Sequence, residues 1–340
     1  MCLLSNRIHV INMLVRCRRN RWSEGIRALV RENRVTVDDL VMPLFVNNAP
    51  GVSREPIASL PGLFRLSIEA LLLECKELMD LGIKAVALFP AIDAALKDPR
   101  ASDSKNPDGL TFRAISALKK AFPSLIVVAD VAMDPYSSDG HDGLVDAATG
   151  IVLNDDSLPI LCEMAVCHAR AGADIVAPSD MMDGRIGAIR HALDNEGFQH
   201  VGILSYAAKY ASSFYGPFRD ALDSAPKKVD KKTYQMDPAN SQEALREVAL
   251  DIAEGADIVM VKPGLAFLDI IRLVSENFNV PVAAYNVSGE YAMLRAASER
   301  GWLNYKNCVI ETLTGFKRAG ASIIFTYHAK EFAQWLKSPE

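Results

Sequence analysis

The chain has 340 residues, of which half are hydrophobic and 23% are charged, a balance typical of a soluble protein with a sizeable core. The formal net charge of −5 argues against a nucleic-acid-binding protein, because no dominant positive field is available to neutralise phosphates. The longest apolar runs have the length of strands and fall well short of the ~20 residues that a membrane-spanning helix requires, so we expect neither nucleic acid nor membrane as a partner.

The first 35 residues form a basic segment in front of an acidic remainder. Residues 1–34 contain eight arginines and two glutamates, net +6, whereas the rest of the chain carries −11. This asymmetry predicts an N-terminal arm over residues 1–35 that contacts the surface of a neighbouring subunit. A solvated tail over residues 1–20 would explain the composition equally well. The absence of acidic residues before Glu24 also allows a transit peptide, although serine is scarce there.

The start of the chain does not resemble a secretion signal. The apolar stretch 8–15 is interrupted by Asn12 and is followed by no small-residue cleavage site. We therefore expect a cytoplasmic protein, with Met1 or Met13 as the first residue.

Eight short apolar runs follow the arm and alternate with amphipathic stretches. None of these runs alternates polar and apolar residues, which indicates strands that are covered on both faces, as in a parallel sheet. The predicted strands span residues 41–46, 83–89, 125–130, 174–178, 201–205, 257–262, 281–285 and 321–326. The predicted helices include residues 68–81, 112–121, 157–170, 241–254, 265–277, 289–300 and 305–318.

Eight strand–helix units predict a (β/α)8 TIM barrel over residues 36–340. A doubly wound open sheet is the alternative, and the lack of a G-x-G-x-x-G motif after any strand favours the closed barrel. The six cysteines contain no C-x-x-C pair, and in a chain of this size they indicate reduced thiols rather than a disulfide or zinc framework.

Polar residues follow the predicted strands at their carboxyl ends, where barrel enzymes hold their catalytic groups. In chain order the series is Asn47, Asp130, Ser179, Asp180, Ser205, Lys209, Lys262, Asn286, Ser288, Tyr327 and His328. Because these ends lie on one rim of a barrel, the series predicts an active site there.

Four aspartates lie within 13 residues after the third predicted strand: Asp130, Asp134, Asp139 and Asp142. They could hold a hard cation such as Mg²⁺, although the spacing is not that of an EF-hand and Asx-turns would explain Asp139 and Asp142 equally well. Asp130, directly at the strand end, is the better candidate for proton transfer or for orienting an ammonium group.

Lys209 and Lys262 lie at the ends of neighbouring predicted strands. A lysine whose stem is held among apolar residues loses solvation, so that its pKa falls and its neutral amine becomes a nucleophile toward ketones. A second ammonium group nearby lowers the pKa further by repulsion. A strand-capping lysine paired with a carboxylate is the structural alternative for each residue, but the pair points to carbonyl chemistry.

A lid is predicted over residues of about 210–240, because about 30 residues separate Lys209 from the next helical pattern. This segment carries Arg219 and several lysines among the aromatic residues Phe214, Tyr215 and Phe218. Cations beside aromatic rings fit a lid over a carboxylate-bearing substrate, which an arginine can bind bidentately. Its two Lys-Lys doublets alone are more typical of solvated surface.

Long segments of the chain resemble the porphobilinogen synthase (5-aminolevulinate dehydratase) family, in its cysteine-poor, aspartate-rich type. The segments are the loop 130–143, APSDMMDGR at 177–185, SYAAK at 205–209, FYGPFRD at 214–220, MVKPG at 260–264 and YNVSGEYAM at 285–293. The resemblance covers roughly residues 18 to 337, and motifs of this length in this order are very specific.

The resemblance implies a lyase (hydro-lyase) that condenses two 5-aminolevulinate molecules to porphobilinogen, with loss of two waters through lysine Schiff bases, in tetrapyrrole (heme) biosynthesis. It also implies a homo-octamer in which the arms embrace neighbouring barrels. Lys262 would form the Schiff base with the substrate that supplies the propionate side chain, and Lys209 would engage the second substrate. Asp130 and Ser179 would line the amino-group region, with Asp130 as the acid–base candidate.

The carboxylate-binding residues also follow from the resemblance. Arg219, Lys231 and Gln235 fall at the lid positions for the second substrate's carboxylate, and position 231 is often arginine in the family. Ser288 and Tyr327 match the pair that holds the first substrate's carboxylate.

The chain departs from the zinc-dependent members of the family at three positions, and this difference determines which metal is expected. Zinc-dependent members carry three cysteines where this chain has Ala132, Asp134 and Asp142, so a soft-ligand Zn²⁺ site is not expected. Mg²⁺ or a monovalent cation would fit the two aspartates. Glu247 matches the family's allosteric Mg²⁺ ligand near a subunit interface.

Two other enzyme classes compete with this interpretation. A class I aldolase would use one essential lysine, normally beside a glycine-rich phosphate-binding turn that the last strands lack. A metal-dependent hydrolase would use the aspartates of residues 130–142 and tolerate replacement of both lysines.

Overall fold

The computed structural model describes residues 14–224 and 230–338, so the predictions about the first residue and the lysines at 227 and 228 lie outside the described part. The chain divides into two compact units, Met1–Arg34 and Val35–Glu340. In the first unit, a 3-10 turn over Cys17–Arg21 precedes helix α1, Glu24–Leu29. The Ser23 side chain accepts a hydrogen bond from the Ile26 N–H and so begins α1.

The second unit contains alternating strands and helices. Its strands are β1 (Leu40–Val46), β2 (Arg54–Pro56), β3 (Phe64–Leu66), β4 (Ala85–Pro90), β5 (Ile126–Val131), β6 (Leu144–Val145), β7 (Val152–Leu153), β8 (Ile175–Pro178), β9 (Gly202–Lys209), β10 (Ile258–Lys262), β11 (Val282–Asn286) and β12 (Ile323–Thr326). Its helices are α2 (Ile68–Asp80), α3 (Leu110–Ala121), α4 (Asn154–Ala171), α5 (Arg185–Asn195), α6 (Gly216–Leu222), α7 (Gln242–Ala253), α8 (Leu268–Asn277), α9 (Ser288–Glu299), α10 (Tyr305–Ala319) and α11 (Ala329–Lys337).

Eight parallel strands close into a barrel in the order β1, β4, β5, β8, β9, β10, β11 and β12, and β12 pairs with β1 to complete the ring. The predicted (β/α)8 barrel is confirmed, and the open-sheet alternative is wrong because the sheet has no free edge at that seam. All eight predicted strands are present. The hairpins β2–β3 and β6–β7 were not predicted, since strands of two or three residues leave no periodic pattern.

Strand β9 runs four residues beyond its predicted end at Ser205 and includes Lys209. Its pairing with β10 is Val259 with Ser205, but Val261 with Ala208, so β9 carries one extra residue as a bulge. After the bulge, Lys262 is paired directly with Lys209. The insertion of one residue therefore places the two lysines opposite each other.

Both faces of the barrel strands are buried, which explains the flat hydrophobicity of the runs. Along β1, Val41 and Phe45 point into the barrel interior, whereas Leu40, Met42 and Leu44 pack toward the surrounding helices. Aromatic residues fill the upper interior near the carboxyl ends of the strands, among them Phe89, Tyr206, Tyr285 and Tyr327. No helix within residues 14–224 and 230–338 combines the length and apolar character needed to cross a membrane.

Candidate active site

Nine of the predicted site residues line one cavity at the carboxyl end of the barrel: Asp130, Asp134, Asp142, Ser179, Lys209, Arg219, Lys231, Gln235 and Lys262. Phe89, Tyr215 and Phe218 complete its wall. The cavity measures about 30 Å³, which is room for one or two water molecules. The space between these side chains is therefore narrow.

Lys262 ends β10 inside a cage of aromatic rings. Its Nζ lies 4.5 Å from the ring centre of Tyr285 and 4.9 Å from those of Tyr206 and Phe218. Only 6% of the residue is exposed. Burial, followed by repulsion from the Lys209 ammonium, lowers the pKa of Lys262 to about 7, against partial compensation from nearby aspartates. This lowered pKa favours the neutral, nucleophilic form of the Lys262 amine.

Lys209 faces a polar side of the same cavity. Its Nζ donates a hydrogen bond to the backbone carbonyl of Ser179, at the end of β8, and lies 3.6 Å from Asp142 Oδ2. Tyr206 is shared by the two lysines, since its ring centre is 5.9 Å from Lys209 Nζ and 4.9 Å from Lys262 Nζ. Two amines with different surroundings therefore open onto one space.

Asp130, the last-but-one residue of β5, is half-buried in the lining of the site. Burial and the neighbouring Asp134 raise the pKa of Asp130 to about 7, although Lys262 and Lys209 oppose the rise. Its Oδ1 has no hydrogen-bond partner among the described residues. A carboxyl group with a raised pKa and one oxygen without a partner among the described residues can accept and return a proton.

Asp134 and Asp142 form a buried cluster with Lys231. Lys231 Nζ lies 3.3 Å from Asp134 Oδ2 and 3.0 Å from Asp142 Oδ1, and Gln235 Nε2 donates to Asp142 Oδ2 at 3.3 Å. Burial alone would raise the pKa of Asp142, but the ammonium groups of Lys209 and Lys231 hold it well below its usual value. These four groups share one small volume in the lining of the cavity.

Three more of the predicted carboxylate-binding residues lie at different positions relative to the cavity. Arg219 lies on α6, lines the cavity and makes no ion pair with any described residue. Ser288 lies beside the cavity, where its Oγ accepts the Phe218 N–H at 3.0 Å and so anchors α6. Tyr327 lies behind the cage, with its hydroxyl 3.3 Å from that of Tyr285.

Glu247 lies outside this cavity, in a neighbouring groove of about 440 Å³ to which Gln235 also contributes. Burial, followed by the nearby charges of Asp251 and Asp183, raises the pKa of Glu247. The groove therefore has a negative potential that would favour a cation.

A buried ionic network supports the Lys209 side of the site from behind. Arg185, on α5, donates to both Asp251 oxygens at 2.9 and 3.0 Å and to Ser205 Oγ at 3.0 Å, and its Nε lies 3.7 Å from Asp180 Oδ1. Ser205 precedes Lys209 on β9, and Asp180 follows the Ser179 carbonyl that Lys209 contacts. Arg185 thus links the middle of β9 to the residues that follow β8, on the side of the site where Lys209 lies.

Several supporting residues were missed by the sequence analysis. The cage residues Tyr206 and Tyr285 lie inside predicted strands, where aromatic residues look like ordinary core. Glu290 accepts hydrogen bonds from the Leu265 and Val287 N–H groups at 2.8 and 3.0 Å, and so ties the turn after Lys262 to the start of α9. Only the pattern of polar residues next to strand ends could have drawn attention to Glu290.

Comparison with known proteins shows which family the chain is similar to. The family model for delta-aminolevulinic acid dehydratase matches residues 14–335. The chloroplastic delta-aminolevulinic acid dehydratase of Chlamydomonas reinhardtii is 53% identical over 330 residues, covering 94% of this chain and 84% of that protein. The delta-aminolevulinic acid dehydratase of Synechocystis is 51% identical over 95% of this chain and 98% of that protein.

A solved structure agrees with these sequence comparisons. The delta-aminolevulinic acid dehydratase (porphobilinogen synthase) of Toxoplasma gondii, in complex with the reaction product porphobilinogen, superimposes with a TM-score of 0.94. It is 54% identical and covers 95% of this chain and 92% of that chain.

Replacement of Arg185 by Met tests the buried network. The substitution leaves Asp251 and Asp180 buried without their counter-charge, and we expect it to lower the free energy of unfolding by roughly 3–5 kcal/mol in urea titrations. Arg170→Met is the matched control, because Arg170 pairs with Glu196 at the surface, where such pairs contribute roughly 0–1 kcal/mol. Equal stability of the two variants would contradict this role of Arg185.

Proposed function

We propose how this chain, which belongs to the delta-aminolevulinic acid dehydratase family, uses its own residues to condense two 5-aminolevulinate molecules to porphobilinogen. The reaction is a hydro-lyase step of tetrapyrrole biosynthesis that releases two waters. The observation that supports the residue assignment best is the direct pairing of Lys262 and Lys209, both of which open onto one cavity.

Lys262 acts as the nucleophile toward the first substrate. Its neutral amine attacks the ketone, and loss of one water gives a Schiff base, which is an electron sink that acidifies the adjacent carbon. Asp130 is the group placed to exchange protons, because its pKa lies close to that of Lys262. The aromatic cage excludes bulk water from the Schiff base, which protects it from hydrolysis.

Lys209 forms the second Schiff base and releases the second water. Formation of the C–C bond between the substrates and of the C–N bond that closes the ring then frees both lysine amines, so that atoms balance over the cycle. Because both substrates are held in one cavity, their encounter becomes effectively unimolecular. Arg219 carries the unpaired positive charge best suited to the second carboxylate, while Ser288 and Tyr327 serve the first.

The α6 helix covers the closed site. Phe218 packs at 5.1 Å against Phe89 and at 5.8 Å against Phe45, and its ring is part of the Lys262 cage. We propose that α6 acts as the lid over this site and moves outward to admit the two substrate molecules.

Lys262→Met tests the proposed chemistry. We expect porphobilinogen formation from 5-aminolevulinate to fall by roughly 10⁴-fold or more, because the nucleophile is lost. Borohydride reduction of the wild type with 5-aminolevulinate, followed by mass spectrometry, should show an adduct on Lys262. Lys84→Met, at an exposed ion pair with Asp38, is the control and should retain activity.

Two further variants, Lys209→Met and Asp130→Asn, distinguish the proposed condensation from the two competing enzyme classes. A class I aldolase would tolerate Lys209→Met, whereas the condensation requires that residue. A metal-dependent hydrolase would tolerate both lysine substitutions and lose activity in Asp130→Asn. An adduct on neither lysine would overturn the assignment.

Mg²⁺ is the cation that we propose for the groove beside Glu247. Mg²⁺ keeps several of its waters and binds through one or two carboxylates, so the half-buried Glu247 with Asp251 and Asp183 nearby fits such an ion. A Mg²⁺ ion there would offset the charges of Glu247 and Asp183, both of which line the groove. No cysteine is among the described residues that line the active-site cavity, and zinc is not part of the proposal.

Glu247→Gln tests the Mg²⁺ proposal. We expect Mg²⁺ to raise both the melting temperature and the activity of chelator-treated wild type, and to change neither in Glu247→Gln. Glu276→Gln, at an exposed pair with Arg272, should respond like the wild type. A full Mg²⁺ response in Glu247→Gln would exclude this site.

The assembly and the compartment remain predictions. A homo-octamer agrees with the basic composition of residues 1–34, and a cytoplasmic location is one of two alternatives, because the similar proteins include chloroplastic and bacterial ones.

A further inference from the structure

We propose that Glu290 is a positioning residue that holds the Lys262 amine at a fixed separation from the groups that bind the first substrate's carboxylate. It acts through a continuous series of buried hydrogen bonds across the ends of β10, β11 and β12. The inference rests on the proposed function, which assigns Ser288 and Tyr327 to that carboxylate. The series, which we name the brace, consists of Glu290, Asn286 and Thr326.

The pairing of β10 with β11 stops short of Lys262. Its last paired residues are Val261 and Ala284, so strand pairing does not extend to the lysine on this side. Between β11 and β12 the pairing continues as far as Asn286 and Thr326. The ends of β11 and β12 are therefore fixed to each other by the sheet, whereas the turn after β10 needs a different contact to hold it against them.

Glu290 supplies this contact from the first turn of α9. Its Oε1 accepts the Leu265 N–H at 2.8 Å, in the turn that follows β10. Its Oε2 accepts the Val287 N–H and the Asn286 side-chain amide, both at 3.0 Å, at the end of β11. Glu290 is completely buried, and a buried carboxyl group is costly unless hydrogen bonds replace its lost solvation, as these N–H groups do. The two oxygens thus join two strand ends.

The brace continues from Glu290 to the residues on either side of Tyr327. Asn286 Oδ1 accepts the Thr326 hydroxyl at 3.0 Å, and Thr326 Oγ1 accepts the His328 N–H at 3.2 Å. All three brace residues are 0% exposed, so bulk water does not compete for these bonds. Since Tyr327 lies between the two bonded residues of this turn, its backbone is held in place relative to Glu290.

Ser288 and Tyr327 are each one aromatic ring away from the Lys262 amine. Phe218, whose N–H donates to Ser288 Oγ, has its ring centre 4.9 Å from Lys262 Nζ. Tyr285, whose hydroxyl lies 3.3 Å from that of Tyr327, has its ring centre 4.5 Å from the same nitrogen. The separation between the amine and the two hydroxyl groups is therefore set by the positions of the three strand ends that the brace joins.

A fixed separation matters because the first substrate is held at two points. In 5-aminolevulinate, two methylene groups separate the carboxylate from the ketone that Lys262 attacks. If the amine and the carboxylate-binding groups keep the matching separation, binding of the carboxylate delivers the ketone to the amine, and the attack becomes effectively unimolecular. A shift of roughly 1 Å between them would remove much of this advantage.

The test compares two ketones that differ only in a carboxylate group. The first, 4-oxopentanoate, has the ketone and the carboxylate of the substrate without its amino group, and the second, 2-butanone, lacks the carboxylate. Borohydride trapping on the full chain, followed by mass spectrometry, gives the efficiency of adduct formation on Lys262 for each ketone. In the wild type we expect 4-oxopentanoate to be trapped roughly 100-fold more efficiently than 2-butanone.

Glu290→Gln keeps the size of the side chain but replaces one acceptor oxygen by an NH₂ group, so that a donor faces a donor in the brace. We expect the ratio of the two trapping efficiencies to fall roughly 10-fold, with trapping of 2-butanone within about twofold of the wild type, because the Lys262 amine itself remains. Glu299→Gln, at the exposed end of α9, is the matched control and should keep the wild-type ratio. A purely structural role of Glu290 would lower the melting temperature and leave the ratio unchanged, which would overturn the proposal.

A second variant tests the other end of the brace and keeps the proposal falsifiable should Glu290→Gln not fold. Thr326→Val removes the hydroxyl that joins Asn286 to the turn around Tyr327, while it leaves Glu290 and the Lys262 turn unchanged. We expect its trapping ratio to fall by roughly 3-fold to 10-fold. An unchanged ratio in folded Thr326→Val would also overturn the proposal.

Porphobilinogen formation distinguishes failure of this inference from failure of the proposed function. A wild type that forms porphobilinogen but has the same trapping ratio as Glu290→Gln would reject the positioning role alone. A wild type that forms no porphobilinogen would reject the proposed function, whereas a lower ratio in Glu290→Gln would still support a brace between Lys262 and a carboxylate-binding site. No preference of the wild type for 4-oxopentanoate would reject the brace.

Discussion

The site depends on a single bulge in β9. Without the extra residue, the pairing of Val259 with Ser205 would continue in step and set Lys262 opposite Ala208. The bulge advances β9 by one position, so that Lys209 becomes the partner of Lys262. Because neighbouring strands lie about 4.8 Å apart, this register brings two lysines to one cavity at the barrel mouth. The lowered pKa of Lys262 follows from this proximity and from burial.

The second constraint is charge balance in a dry volume. Three lysines, Lys209, Lys231 and Lys262, meet three aspartates, Asp130, Asp134 and Asp142, within one cavity lining. Isolated buried charges would be strongly unfavourable, so each must be neutralised by a partner or by a change in protonation. Lys231 is paired with two aspartates, whereas Lys262 makes no ion pair with the described residues and has aromatic rings as its nearest neighbours. The same cluster thus keeps one amine charged and makes another reactive.

The fold could be predicted from the sequence because both faces of each barrel strand are buried. The eight runs gave a flat apolar pattern, and the polar residues at their ends marked the rim where the cavity lies. Nine of the residues predicted from this pattern and from the resemblance line that one cavity. The bulge could not be predicted, because one extra residue in the segment SYAAK does not change the hydrophobic pattern. The ion pairing of Lys231 was also hidden, since it joins the loop after β5 to the chain after α6, 89 residues apart.

The most direct test of the central claim is an NMR titration of the Lys262 amine in isotopically labelled wild type and in Lys209→Met. In the wild type the pKa of Lys262 should be about 7, since burial and the Lys209 charge act together. In Lys209→Met the pKa should rise, because the repulsion is gone, yet stay below the ordinary lysine value of ~10.4, because the cage remains. A wild-type pKa at the ordinary value, or the same pKa in both proteins, would contradict the account.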